Sequence, residues 1–323
     1  MHPKIEEILP NFHRAEIPLP DSPLKFVNSY FIKGEPRNLI VDTGLNRDEC
    51  RAALGECIRS LGFDLAATDL FITHAHADHV GLAKELATAH SKVFLNAADA
   101  ALLREWSGWE ALFPLGATHG FPAEELRLGS RGDPNMAFRE DAVPEVTVLE
   151  EGKVFSVGEY RLQSLSTPGH SAGHTCLYEP ERKLLLSGDH ILGEISPNIT
   201  SWRGMNTLKQ YLASLEAVER MDVERVLPGH RSPFGDHRRR IRELKAHHEH
   251  RLNEVRSLVS RRARTAYDLA SEMTWDLGGS WGRWAFTQRW FATGEALSHL
   301  RYLEEEGAVV RTSADGVVFF AGS

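Results

Sequence analysis

Four side chains able to bind a metal, His74, His76, Asp78 and His79, fall within six consecutive positions of Phe71-Ile-Thr-His-Ala-His-Ala-Asp-His-Val-Gly81. Imidazole nitrogen and carboxylate oxygen are what a Zn²⁺-type ion takes, in fixed number and geometry. The cluster directly follows Leu70-Phe71-Ile72, an apolar run that reads as the end of a buried strand. A helix places residues two apart on different faces, so His74 and His76 would diverge there. A turn at a strand end can aim all four inward. Solvated loop histidines are the blander reading, and four potential ligands in six positions argue against it.

The elements that must position further ligands repeat one pattern: an apolar strand, a small residue, then His or Asp. Strands read over 160–165, 183–187 and 223–227 run into Thr167-Pro-Gly-His170, Gly188-Asp189-His190 and Pro228-Gly229-His230. Upstream, 25–33 and 39–44 read as strands about a turn at 34–38, and Asp42 ends the second. Asp42 is either a turn-former or an acceptor for a metal-bound histidine. Helices are expected over 46–62, from 81, over 98–106 and over 207–221, with further strands at 92–95, 146–149, 153–156 and 176–179. That alternation is α/β in character. Residues 97–143 interrupt it with Trp109, Phe113, Phe121 and Phe138 among glycines and prolines, which favours a lid beside the site over disorder.

The phrases THxHxDH, TPGH, SGD and PGH, in this order over about 23–235, resemble the metallo-β-lactamase superfamily. The resemblance implies an α+β fold, an αββα sandwich of two mixed sheets, with a dinuclear site at the sheet edge. It implies His74, His76 and His170 on one ion, Asp78, His79 and His230 on the other, and Asp189 bridging. Asp42 matches the family's VDTG strand end, which supports a ligand histidine, and His174 matches a second histidine beside the ligands. The implied cofactors are two divalent ions, zinc first, with iron or manganese compatible with the same donors. The implied chemistry is hydrolysis by a hydroxide bridging ions about 3.5–4 Å apart, with Asp78 orienting it or taking its proton.

Within the family, Asp189 stands where the lactamases carry cysteine or histidine chemistry, which argues against lactam hydrolysis. The Asp78–His79 pair argues against oxygen reduction, and the spacing lacks the large insert of the cleavage-domain nucleases. Expectation settles on a small ester or thioester of the acyl-CoA kind, as in the hydroxyacylglutathione-hydrolase-like branch. A phosphodiesterase or single-strand endoribonuclease is the alternative, and a metal-binding protein with little turnover a third. Asn198 and Trp202, in the loop after Asp189, are candidate substrate contacts.

The 323 residues divide into an expected catalytic domain over 1–237 and a C-terminal domain over 238–323. Helices over 241–258, 265–273 and 294–307 followed by a hairpin over 309–320 resemble a winged-helix module. Its charges do not favour DNA: 238–323 holds 14 Lys and Arg against 11 Asp and Glu, and the third helix ends in Glu304-Glu305-Glu306. Arg238-Arg-Arg240 and Arg261-Arg262-Ala-Arg264 read first as solvated helix ends. His247, His248 and His250 read as a solvated face or a domain contact, and the aromatic run 281–291 as packing on the catalytic domain or as a wall of the substrate cleft. A net charge of −8 argues against nucleic acid as a general partner, which leaves a small-molecule substrate and an open question of a homodimer. Three cysteines without a CxxC pair fit reduced thiols, and Cys50 and Cys57 read as core. With no apolar leader and no run long enough for a membrane span, a cytoplasmic chain is expected.

Overall fold

The computed structural model describes residues 3–106, 108–129, 145–201 and 204–323. Close contacts divide the chain into two compact units. One comprises 1–106, 138–197 and 214–241, and the other 107–137, 198–213 and 242–323.

The first unit holds two sheets. The seven-stranded sheet runs in chain order: β1 (Ile5–Leu9), β2 (Phe12–Pro18), β3 (Phe26–Ile32), β4 (Asn38–Val41), β5 (Thr68–Phe71), β6 (Val93–Leu95) and β7 (Thr147–Val148). Pairing is antiparallel as far as β4 and parallel from β4 to β7. The five-stranded sheet contains β8 (Val154–Val157), β9 (Tyr160–Ser166), β10 (Thr175–Glu179), β11 (Leu184–Gly188) and β12 (Arg225–Pro228), in the order β12-β11-β10-β9-β8. Only the β11–β12 pair in it is parallel.

Side chains alternate across a strand, so each strand of the larger sheet feeds two apolar layers. Val27 and Phe31 of β3, Ile40 of β4 and Leu70 of β5 pack outward against Cys50, Leu54, Cys57 and Ile58 of α1 (Asp48–Leu61). Tyr30, Ile32, Leu39, Val41 and Phe71 face the other way and pack on Phe155, Leu162, Leu177, Leu186 and Leu227 of the smaller sheet. Two sheets face to face with helices outside form the expected sandwich. Cys50, Cys57 and Cys176 are buried free thiols.

Three local differences separate the structure from the sequence expectations. Strands β1 and β2 were not anticipated, because charged residues interleave with the apolar ones. Arg14 in β2 is nonetheless buried, held by Glu6 at 3.0 Å and Glu16 at 3.1 Å. The helix expected from 81 is two single turns, α2 (Ala77–Val80) and α3 (Ala83–Leu86). After α4 (Ala97–Glu105), α5 (Phe113–Thr118), α6 (Ala123–Gly129), α7 (Thr207–Glu219), α8 (His237–Val259) and α9 (Ala266–Glu272), the last helix also departs from expectation. This helix, α10 (Phe286–Glu305), starts eight residues before Gly294. Gln288 folds back to accept from Ala285 N at 3.1 Å, and a mid-helix glycine costs only about 1 kcal/mol, which packing overrides.

In the second unit, α8, α9 and α10 precede a hairpin of β13 (Val309–Ala314) and β14 (Val317–Gly322). The tail's aromatics pack among themselves and on the segment 108–129: Trp290 meets Trp109, Phe121 and Phe286, and Phe121 also meets Tyr267. Phe138 lies outside the described residues. The basic clusters are bound locally. Arg238 donates to the carbonyls of Glu219 and Met221, Arg240 to those of Leu192 and Ile195, and Arg262 and Arg264 both reach Glu272. His248 corrects the solvated-face expectation: it is fully buried, with Nδ1 3.2 Å from His299 Nε2 and its ring edge-on to Tyr211. Among the described residues no helix is long and apolar enough to cross a membrane.

Glu295 lies in the same polar interior, accepting from Asn198 Nδ2 at 2.8 Å with Arg251 3.7 Å away. Burial dominates these partners and pushes its carboxyl from 4.5 up to about 7. The unfolded chain therefore releases this proton first as pH rises, so stability falls between about pH 4.5 and 7 and is level above. Glu295→Gln should be increasingly more stable than the parent from pH 5 to 7 in urea denaturation, by up to about 3 kcal/mol. A pH-independent difference would refute the buried-acid account.

Candidate metal centre

Parallel pairing sets the site. β4 and β5 end together, with Val41 opposite Phe71, so Asp42 emerges beside Thr73 and the histidine stretch. β11 and β12 end together, with Gly188 opposite Pro228, so Asp189 emerges beside His230. The two sheets are tied at this edge by Asn28, whose Nδ2 donates to Pro228 O at 2.8 Å, and by the Tyr30 hydroxyl, 2.7 Å from the same carbonyl. Carboxyl ends of strands leave a crevice where loops can converge.

The six-residue cluster is a bend over 73–75 that leads into α2, with His76 at the helix N-cap and Asp78 and His79 inside the turn. His74 Nε2, His76 Nδ1 and His170 Nε2 form a triangle with sides of 2.9, 2.9 and 3.2 Å. Three points so spaced can all lie about 2.0–2.1 Å from one centre, the Zn–N bond length. Asp78 Oδ2 lies 3.3 Å from His230 Nε2 and 3.9 Å from His79 Nε2. Asp189 stands between: Oδ2 is 3.6 Å from His170 and 3.4 Å from His230, and Oδ1 is 3.6 Å from His79. Three sets, His74/His76/His170, His74/His79/Asp189 and Asp78/His79/His230, each gather their ligand atoms within 4.8 Å and could hold a metal ion.

The tautomers follow from the hydrogen bonds. Asp42, buried, accepts from Thr73 N at 2.9 Å, from the Thr73 hydroxyl at 2.9 Å and from His79 Nδ1 at 2.8 Å. With the Thr73 hydroxyl donating to Asp42, its oxygen is left to accept from His74 Nδ1 at 3.0 Å. His230 Nδ1 donates to Phe26 O at 2.8 Å. In each case the second ring nitrogen, Nε2, is turned to the centre, where it would offer its lone pair to an ion. His79 Nε2, His230 Nε2 and Asp189 Oδ1 are buried and make no hydrogen bond, a costly state that a cation would relieve.

The charge balance agrees. Burial pulls His230 down, but Asp189 and Asp78 outweigh it and raise it to about 10. Burial opposes charge on His79 in the same way, and Asp42, Asp189 and Asp78 overcome it and hold the ring well above its ordinary value. Burial and the neighbouring imidazoles hold His74 well below its ordinary value. Burial would raise Asp78 and Asp189, yet the histidines hold both below the usual carboxylate range. The carboxylates demand positive charge here, and burial holds the His74 and His76 rings toward the neutral form beside them. The donor set fits a divalent ion.

His174 is otherwise engaged: Nδ1 bonds the Thr167 hydroxyl at 2.8 Å, and Nε2 accepts from Asp189 N at 3.1 Å, fixing the backbone of that ligand. His190 is buried, and burial pushes its ring down to about 3. Asn198 directs its amide to Glu295, and Trp202 lies outside the described residues. The sequence reading passed over Asp99, a buried carboxylate that accepts from Ala75 N, Ser171 Oγ and Gly173 N. It lies in α4, and nothing in its local sequence announces those partners.

A family profile for the Metallo-beta-lactamase superfamily matches residues 23–230, and one for the Metallo-beta-lactamase-like, C-terminal domain matches residues 252–323. The chain is similar to the acyl-coenzyme A thioesterase MBLAC2 of Bos taurus, 30% identical over 225 residues, which covers 65% of this chain and 75% of that protein. It also resembles the crystal structure of a metallo-beta-lactamase family protein from Thermus thermophilus, at a TM-score of 0.80 and 32% identity over 98% of this chain and 100% of the other. A beta-lactamase domain protein from Burkholderia ambifaria superposes at a TM-score of 0.85, 26% identical over 99% of this chain and 94% of that one.

Gly229 tests the packing of the centre. A Cβ there would lie 2.4 Å from Asp189 Oδ1 and 2.9 Å from His79 Cε1. Gly229→Ala should weaken metal binding on the order of tenfold or more, measured as metal per chain after dialysis, while Gly235→Ala, where the nearest atom is 3.4 Å away, should not. Full metal retention in Gly229→Ala would contradict the assigned geometry.

Proposed function

The chain belongs to the metallo-beta-lactamase superfamily and is a hydrolase of that fold, and from that premise we propose that it is a dinuclear enzyme cleaving a thioester of the acyl-CoA kind. The observation that carries the two-ion reading is Asp189, whose two oxygens reach histidines of both groups. Support for the substrate class comes from the relative named as an acyl-coenzyme A thioesterase. His74, His76 and His170 would hold one ion, Asp78, His79 and His230 the other, and Asp189 would touch both. Zinc suits this nitrogen and oxygen set, and iron and manganese are the other metals to look for.

Two divalent ions, when bound, supply Lewis acidity at a carbonyl oxygen and an activated water near neutral pH. The protein's part is to hold each Nδ1–H from behind, at Asp42, the Thr73 hydroxyl and the Phe26 carbonyl, so that Nε2 is the atom turned to the centre. Asp78 has the more open carboxylate, 20% exposed against 9% for Asp189, which supports giving it the role of orienting the attacking water or taking its proton. The water oxygen bonds to the thioester carbon and the carbon–sulfur bond breaks. The proton passes to the departing thiolate, giving a carboxylic acid and a thiol.

Purified protein assayed on acyl-CoA esters, bis-p-nitrophenyl phosphate and single-stranded RNA separates the candidate activities. Thioester hydrolysis is expected. Cleavage of RNA with none of thioesters would sink the substrate assignment. Asp189→Ala and His79→Ala should each lower kcat/KM at least a hundredfold, beyond the roughly 10–100-fold typical of residues behind the ligands, and elemental analysis should show less metal per chain. Unchanged activity in either variant would remove that residue from the centre.

A further inference from the structure

We infer that Asp99 is a positioning residue that assembles the three-histidine group, clamping the loop that carries His74 and His76 to the loop that carries His170. The inference rests on the reading of His74, His76 and His170 as ligands of one ion. Asp99 is fully buried in the first turn of α4, whose start is set by Asn96 accepting from Ala98 N at 2.9 Å. Its Oδ2 accepts from Ala75 N at 2.8 Å, the residue between His74 and His76, and from Ser171 Oγ at 2.7 Å, the residue after His170. Its Oδ1 accepts from Gly173 N at 2.8 Å, further along the same loop. One carboxylate therefore sets the distance between two loops from different sheets, and with it the 2.9–3.2 Å triangle of ring nitrogens.

The approach requires glycine at 173. A Cβ there would lie 2.8 Å from Asp99 N and 2.9 Å from Asp99 Cγ, which leaves no room for a side chain. The other group is supported separately. His79 leans on Asp42 and His230 on the Phe26 carbonyl, and neither contact passes through Asp99. Loss of the clamp thus acts on one group and spares the other. The clamp touches neither reacting atoms nor ring nitrogens and acts only through the backbone and Ser171.

The test is cobalt(II) uptake by the full chain after its metal has been stripped with a chelator, followed by visible absorption against a competing chelator. Asp99→Asn keeps the shape but turns one acceptor into a donor facing the donors of Ala75 and Ser171, or that of Gly173. It should weaken one of two uptake steps on the order of tenfold or more and leave the other within about twofold. Ser171→Ala removes one of three donors without adding a clash, and should give a smaller loss in the same step. Both variants binding like the parent, or both steps weakening alike, would overturn the inference. A parent chain that takes up no cobalt, or a single equivalent, would instead overturn the two-ion reading beneath it.

Discussion

The centre depends first on the Asp42 carboxylate. A buried carboxylate is tolerated only where donors satisfy it, and Asp42 is met by the Thr73 amide, the Thr73 hydroxyl and His79 Nδ1. The backbone at Asp42 turns to φ 59°, a left-handed conformation that aspartate accepts more readily than most residues. In return the carboxylate sets the tautomers of two candidate ligands, His79 directly and His74 through the hydroxyl. Charge-assisted bonds of this kind are roughly twice as strong as neutral ones, so the rings are oriented before any ion arrives.

Around that anchor the sandwich delivers its candidate ligands by strand ends. Parallel pairs terminate on the same edge, so β4 and β5 in one sheet, and β11 and β12 in the other, present their successor residues together. Asn28, Tyr30 and the His230–Phe26 bond fasten the sheets at that edge. His174 adds a hold on the backbone of Asp189. The result is a pocket of carboxylates and imidazole nitrogens that could hold a cation.

The second unit follows a different logic. Its elements come from three stretches of chain, and its interior is polar as well as aromatic. Glu295, Arg251, His248 and His299 are all buried there, with Arg251 also stacked on Trp275 at 4.0 Å. Arg262 and Arg264, which read from sequence as a solvated helix end, are both paired with Glu272.

The sequence alone determined the ligand types, their spacing and the strand-end pattern, because metal chemistry restricts residue identity and a strand running into a turn has a local signature. That pattern, in His74 through His230, was enough for the sandwich and for the family. Tertiary structure decided what depends on distance across the fold. Asp99 is an ordinary helical aspartate until folding brings Ala75, Ser171 and Gly173 to it. β2 is legible only once Arg14 has found Glu6 and Glu16, and α10 only once packing has carried Gly294 inside it. His248 reads from sequence as a solvated face or a domain contact, and its burial is decided by the fold, because His299 beside it is 51 residues away. Hydrogen-bond partners and burial are properties of the folded chain, and local pattern holds no record of them.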